Sequence, residues 1–443
     1  MLFSQHTQPV LPAAERILVV RNRFIGDTVL AIPFLRNLRR KFPQATIDVL
    51  VESDSGDVLA DCPYQNAILT WRRPQRKQSS VLRTLVNLLA TAKWLRSRHY
   101  TRAYVLKRSA SSALLIWLSG IAHRVGFATE LRSCLFTRAV PLRSHRHEAE
   151  LFLDLLRGDN IEVDDGHNEN WVSQATARKV ESLLAHVPTN RPRVFIAPQS
   201  TNGLRQWPLQ RVAKVIQWLV KNRGCEIFFC GSTYDVEAHD AIRSLVGPQG
   251  AASIHDYSSQ LSLRETGALL ARMHLSLGVD TGLQHMAASF GVPVATLFGP
   301  TDPNQWSPWK TQSAVIRSAT ILQPTKRLTW HPFFANPAQS YRWPVGVTAI
   351  LDINVEQVLA SIAPLLDQAI EEKIADNSTS VPHVEPSPSA RKPSAIRIQT
   401  IDLRRGTYRY QVFASPAATP QSFATVPVES LAEITSGNAA RGD

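Results

Sequence analysis

The stretch from Leu275 to Pro303 sets the tightest limit on what this chain can fold into. Leu275 to Val279 is an apolar run suited to a buried strand, and Asp280-Thr281-Gly282 makes a turn. Leu283 to Phe290 has the length and pattern of a short helix, and Gly291 stands where a helix C-cap glycine belongs. Val292 to Phe298 is a second buried strand, closed by Gly299-Pro300. Strand, turn, helix and strand form a βαβ unit, which requires a parallel sheet. Its turn lies at the carboxyl end of a strand, where open α/β sheets take up ligands. Thr281 and Gly282 would present backbone N–H groups at a helix start, which favours phosphate, and His285 follows within reach of the same anion. Gly299-Pro-Thr-Asp-Pro303, at the next strand end, is expected to face the same crevice.

The alternation repeats along the chain. Strands are predicted at Arg16–Val20, Thr46–Val51, Ala103–Leu106 and His123–Phe127, and again at Arg193–Ala197 and Glu226–Phe229. Helical patterns lie between them, including Val81–Leu95, Ser112–Leu118, Glu148–Leu156, Leu209–Lys221 and Leu263–Arg272. This predicts α/β architecture in two Rossmann-like domains. The expected divisions are a leader at 1–15, a first domain at 16–175, a second at 176–350, a closing helix at 351–372 and a Ser/Pro-rich linker with a mostly disordered tail at 373–443. Within the tail, alternation around Arg405-Gly406 suggests a hairpin from Ile396 to Phe413. The first βα turn, Arg21-Asn-Arg-Phe-Ile-Gly-Asp27, lacks the Gly-x-Gly-x-x-Gly of dinucleotide enzymes, which removes the main sequence support for hydride transfer.

Cysteines at 62, 134, 225 and 230 show neither zinc spacing nor a disulfide framework, which fits a reducing compartment. The opening residues carry no signal-peptide pattern, and the most apolar run, Ala113–Ala122, falls well short of the roughly 20 residues of a spanning helix. The net charge of +13 is uneven: sixteen Lys or Arg against one acid, Glu130, lie between Trp71 and His147. Such clustering points either to an anionic partner or to a solvated basic face. No nucleic-acid-binding module accompanies it, so nucleic acid is not the expected partner.

Four places in the chain resemble the bacterial lipopolysaccharide heptosyltransferases of glycosyltransferase family 9, and most of all the heptosyltransferase II branch. They are Arg16-Ile-Leu-Val-Val with Ile25-Gly-Asp27, Ala103–Phe127 with Gly120-Ile-Ala-His-Arg-Val-Gly-Phe127, Gln206-Trp-Pro208 after Ile196-Ala-Pro198, and Asp280-Thr-Gly-Leu-Gln-His285 with its following loop. The resemblance spans about Arg16 to Leu366. It implies a GT-B fold, with parallel sheets facing a central cleft, an acceptor site in the first domain and a nucleotide-sugar site in the second. A terminal helix near Val355 would pack back across the cleft. The implied activity is inverting transfer of heptose from ADP-heptose to the inner core of lipopolysaccharide. The implied location is the cytoplasmic face of the bacterial inner membrane, in peripheral contact with an anionic surface. Arg205 replaces the family's usual Lys and Gln199 its frequent Gly, which leaves another nucleotide sugar or a protein acceptor as an alternative. A non-catalytic binding protein on the same scaffold is a further one.

The family match assigns Asp27 as general base, with an N-cap as the competing role. Arg21 and Arg23 would keep it ionised. Arg205, Thr281 and Gly282 would hold the diphosphate. Gln199 and Ser200 belong to the same donor loop. Asp280 would meet donor-sugar hydroxyls or cap its helix, and Asp235 would meet the ribose, with Glu237 competing. His285 is a phosphate or ribose contact or a packed core residue. Arg21, Arg23, Lys107 and Arg108 are expected at the acceptor. No Asp-x-Asp or His cluster calls for a metal.

Overall fold

The computed structural model describes residues 15–21, 24–51, 53–71, 81–318 and 349–375, with short strands at Thr325–Lys326, Tyr341–Arg342, Ala395–Asp402, Thr407–Phe413 and Ala424–Pro427. The first domain is built on β1 (Arg16–Val20), β2 (Thr46–Val51), β3 (Ala67–Thr70), β4 (Arg102–Val105), β5 (His123–Ala128) and β6 (Arg138–Pro141). These lie in the order β3-β2-β1-β4-β5-β6, and every pair is parallel. The second is built on β7 (Arg193–Ala197), β8 (Glu226–Phe229), β9 (Ile254–Asp256), β10 (Leu275–Val279), β11 (Val294–Phe298) and β12 (Ser313–Arg317). Its order, β12-β11-β10-β7-β8-β9, is the same doubly wound pattern, again all parallel. Chain order reverses between β1 and β4 in one sheet and between β7 and β10 in the other, so each sheet opens a crevice there.

Strand periodicity divides the cores. Ile17 and Val19 of β1 face the Ile32–Lys41 and Glu148–Gly158 helices, whereas Leu18 and Val20 face the Val81–Ser97 and Ala110–Leu118 helices. In the second domain Val194 and Ile196 join one cluster, and Phe195 and Ala197 the other. That other cluster is continuous with the first domain's core: it holds Phe34 and Phe152 together with Phe195, Phe228, Leu269 and Met286. Apolar packing therefore runs unbroken from one domain to the next. Polar ties reinforce it, with Arg264 paired to Asp61 and Asn170 Nδ2 donating to Ser289 Oγ at 3.2 Å.

Four strands escaped the sequence reading: β3, β6, β9 and β12. Each is at an end of its domain's six-strand parallel array, and each is only three to five residues long. β6, β9 and β12 are paired on one side only, and an end position in the parallel array does not require a continuous apolar run. The described residues begin at Glu15, whose backbone O accepts from Thr46 N at 2.8 Å; residues 1–14 of the expected leader lie outside them. The hairpin expected at 396–413 forms between Ala395–Asp402 and Thr407–Phe413, and its first strand pairs parallel with β3. Arg405 and Gly406 and most of the rest of the tail lie outside the described residues.

The closing helix, Val355–Ala375, runs past its expected end. Val358, Ile362 and Leu366 are fully buried in the second domain's own core, alongside Val215, Ile216 and Leu277. Arg223 pairs with Asp367 at 2.9 Å, and Lys373 Nζ donates to Met273 O at 2.8 Å. Trp207 Nε1 donates to Ile353 O at 3.0 Å, fixing the segment that leads into the helix. Among the described residues no helix is long and apolar enough to cross a membrane. Leu366→Ala removes a fully buried side chain and should destabilise the protein by about 2–5 kcal/mol. Thermal or urea unfolding checks this; an unchanged midpoint would mean that the helix is only loosely attached.

Candidate active site

The two crevices meet. From the carboxyl end of β1 the chain turns into the short Ile25–Val29 helix, and from that of β10 it enters the Gly282–Ser289 helix. These two helices pack directly against each other through glycine. A Cβ on Gly26 would lie 2.7 Å from His285 Cδ2 and 3.3 Å from Gly282 Cα. A Cβ on Gly282 would lie 2.8 Å from Ile25 Cβ and 3.0 Å from Gly26 N. The shortest of these, 2.7 and 2.8 Å, are closer than real Cβ contacts come, so the domains approach this closely because glycine stands on each side. What comes close to Gly282 here is the first domain.

Asp27 sits on the first-domain side. Its carboxylate is largely buried and paired with Arg21, whose Nε also donates to Asp27 O at 3.3 Å. The helix is capped at Phe24 with no side-chain bond, so Asp27 does not cap it. Phe24 adopts φ 64°, sparsely populated for a residue with a side chain, next to the candidate base. Burial pushes the Asp27 carboxyl up to about 6, against the pull of Arg21 and with a further push from Glu148. The expected ion pair with Arg21 forms, but desolvation outweighs it and the proton affinity of Asp27 rises.

Arg21 is buried, lies 5.0 Å over the Phe152 ring and serves Asp27. Arg108 grips Glu148 with Nη1 and Nη2, both at 3.0 Å. Lys107 is half-buried on the loop after β4. Arg23 lies outside the described residues. The basic region as a whole is less free than its sequence suggests. Arg98 meets Asp48, Arg102 meets Glu15, and Arg146 meets Asp154. These acids lie outside the window that contains the cations, so counting within a window overstated the positive surface.

On the second-domain side, Arg205 Nη1 lies 3.1 Å from Asp280 Oδ2 and donates to Asp280 O at 3.2 Å, tying the loop after β7 to the loop after β10. Asp280 is buried, and burial raises its pKa despite Arg205. Its helix is capped at Thr281 without a side-chain bond, so Asp280 is no cap either. Burial, aided by Arg205, holds His285 down at about 4, which makes it a neutral hydrogen-bonding group at pH 7 and not a cation. Four buried polar atoms at this turn have no protein partner: Thr281 Oγ1, Gln284 Nε2, His285 Nδ1 and Arg205 Nε. Natural proteins rarely leave such a group of buried polar atoms unpaired, and its clustering suits a polar ligand. Gln199 Oε1 accepts from Gln206 Nε2 at 2.9 Å, as does Ser200 O at 3.1 Å. Asp235 accepts from Ser232 N at 2.7 Å and Ser232 Oγ at 2.9 Å, closing the turn after β8, while Glu237 is exposed.

Two residues that the sequence reading passed over lie between these halves. Glu148, fully buried at the start of the Glu148–Gly158 helix, also accepts from Gln305 Nε2 at 3.2 Å. His147 Nε2 lies 2.8 Å from Ser307 O, and its ring stacks on Trp309 at 4.4 Å. The segment after Gly299-Pro300 therefore forms a strap from the second domain onto the first. The available signal was a His-Glu pair opening an amphipathic helix just beyond the basic region.

A family profile for glycosyltransferase family 9 (heptosyltransferase) matches residues 88–330. The lipopolysaccharide heptosyltransferase 2 of Escherichia coli (strain K12) is 25% identical over 372 residues, covering 80% of this chain and 99% of that protein. Two solved structures share the fold. The glycosyl transferase family 9 protein of Veillonella parvula has a TM-score of 0.67 and 19% identity, covering 80% of this chain and 98% of its own. The E. coli ADP-heptose lps heptosyltransferase II has a TM-score of 0.64 and 23% identity, covering 81% and 99%. With two facing doubly wound domains and a profile match over more than half its length, the chain has the GT-B fold and belongs to glycosyltransferase family 9, the heptosyltransferases, as a glycosyltransferase.

Proposed function

We propose that this enzyme transfers heptose from ADP-heptose to an anionic, lipid-anchored acceptor of the lipopolysaccharide inner core, with inversion, at the cytoplasmic face of the inner membrane. The observation that carries the reading is the apposition of Asp27 and the Asp280–His285 turn across a glycine-lined contact. Relatives named as lipopolysaccharide heptosyltransferase 2 supply the substrate class.

The chemistry follows from charge. Transfer requires a base for the acceptor hydroxyl on one side of the anomeric carbon and stabilisation of the leaving diphosphate on the other. Asp27, held near 6, is mostly ionised at neutral pH and basic enough to accept a proton as the C–O bond forms. The start of the Gly282–Ser289 helix offers backbone N–H groups and a positive dipole end to the diphosphate, and the unpartnered Arg205 Nε adds a charged donor. His285 Nδ1 and Thr281 Oγ1 can serve neighbouring oxygens as neutral partners. Asp280 then acts chiefly by fixing Arg205. Arg21 and Arg108 act through Asp27 and Glu148, and Lys107, half-buried on the loop after β4, stands on the same side as a contact for an acceptor phosphate. Gln199 and Ser200 line the donor loop, and Asp235 shapes the turn beside it. The residues assigned here require no metal.

Asp27→Asn keeps the shape and removes the base. Turnover should fall by about 10²-fold or more, while ADP affinity measured by calorimetry stays within about twofold of wild type. A variant with near-normal turnover would move the base elsewhere. Arg205→Gln should weaken ADP binding by about tenfold to a hundredfold, the range for losing a charged hydrogen bond. ADP-heptose should raise the melting temperature of the wild type, and UDP- and GDP-sugars should not. Stabilisation by a UDP-sugar alone would redirect the donor assignment.

A further inference from the structure

On the first domain, away from the candidate site, the Val81–Ser97 helix buries only part of its surface. Leu88, Thr91, Ala92, Trp94 and Leu95 face the sheet. Its first half is bare: Val81, Leu82, Leu85, Val86 and Leu89 are 47 to 76% exposed, although all five are large and apolar. At 100° per residue they fall on one continuous stripe. Trp117, 49% exposed, lies on the Ala110–Leu118 helix packed alongside. Soluble proteins seldom leave so many large apolar side chains together in water without a partner for them.

The same helix indicates which partner. It contains no acid, and Lys93 and Arg96 continue the exposed stripe toward its end. Beside that end lies a polar hollow of about 270 Å³ lined by Arg96, His99 and Ser119. In the sequence, Arg72, Arg73, Arg76 and Lys77 precede the helix within ten residues. A second copy of this chain would bring the same positive charge to the contact. An apolar stripe bordered by cations and one tryptophan instead matches an anionic lipid surface, with the apolar half entering the acyl boundary and the cations meeting head groups.

We propose that the Val81–Ser97 helix, with Trp117, is the element by which this enzyme docks on an anionic membrane. The proposal builds on the lipid-anchored acceptor described above and is independent of the donor and base assignments. Sedimentation with phosphatidylcholine vesicles containing phosphatidylglycerol tests it on the full chain. The wild type should bind these vesicles at low salt, release them as salt rises and bind pure phosphatidylcholine far less. The triple variant Leu82→Gln, Leu85→Gln, Leu89→Gln should partition at least about tenfold more weakly, with its melting temperature and its turnover of detergent-dispersed acceptor unchanged. Brominated lipids should quench wild-type tryptophan emission, and Trp117→Phe should lose much of that quenching, a readout that stands even if the triple variant misfolds. The proposal is overturned if anionic vesicles are ignored at low salt, if both variants behave as wild type, if DNA binds in place of vesicles, or if the stripe closes a dimer that the triple variant dissociates. Loss of turnover in Asp27→Asn with vesicle binding intact would leave the two readings separately standing.

Discussion

The contact between Gly26 and Gly282 is the constraint on which the site depends. Each glycine lies in the first turn of a short helix at the point where its sheet reverses strand order, so the two crevices are brought edge to edge. A side chain at either position would bring its Cβ within 2.7 or 2.8 Å of the opposite domain and force the contact to shift. The continuous apolar cluster beneath, from Phe34 through Met286 to Phe228, holds the domains in this arrangement, and the strap from Gln305 to Trp309 closes it from the side.

Electrostatics at the contact follow from dryness. Asp27 has an arginine partner, yet its proton affinity rises, because removing a carboxylate from water outweighs one ion pair. Glu148 adds to this and is itself neutralised by Arg108. The same dryness makes His285 and His147 neutral, both held at about 4, so charge at the contact is carried by carboxylates and arginines alone. Because Glu148 also accepts from Gln305, the domain that carries the Asp280–His285 turn is in touch with a group that raises the proton affinity of Asp27.

Much of the fold was legible because central parallel strands are long apolar runs, and the eight inner strands were found from that pattern. The four edge strands were not, since an edge position asks for neither length nor apolarity. The Asp280–His285 turn was legible from glycine and helix-start chemistry. Its contact with Gly26 was not, since no local pattern encodes the meeting of residues about 250 positions apart in a folded core. Nor could the sequence show that Arg21 and Arg108 are committed to buried carboxylates, because their partners become neighbours only once the domain has folded. The exposed stripe at Val81–Leu89 was read as an amphipathic helix. Only the folded structure shows that its apolar side faces water.

The proposed chemistry turns on a desolvated Asp27 that takes the acceptor proton. The pH dependence of kcat/KM tests it most directly, since that parameter reports the free enzyme's essential groups. Because the shift is upward, activity should be full above the raised pKa and lost as pH falls through it. The account predicts an acid limb with an apparent pKa of about 6, below which kcat/KM falls about tenfold per pH unit, and which is absent from the residual activity of Asp27→Asn. A profile that stays flat down to about pH 4.5, near the ordinary carboxylate range, would contradict it.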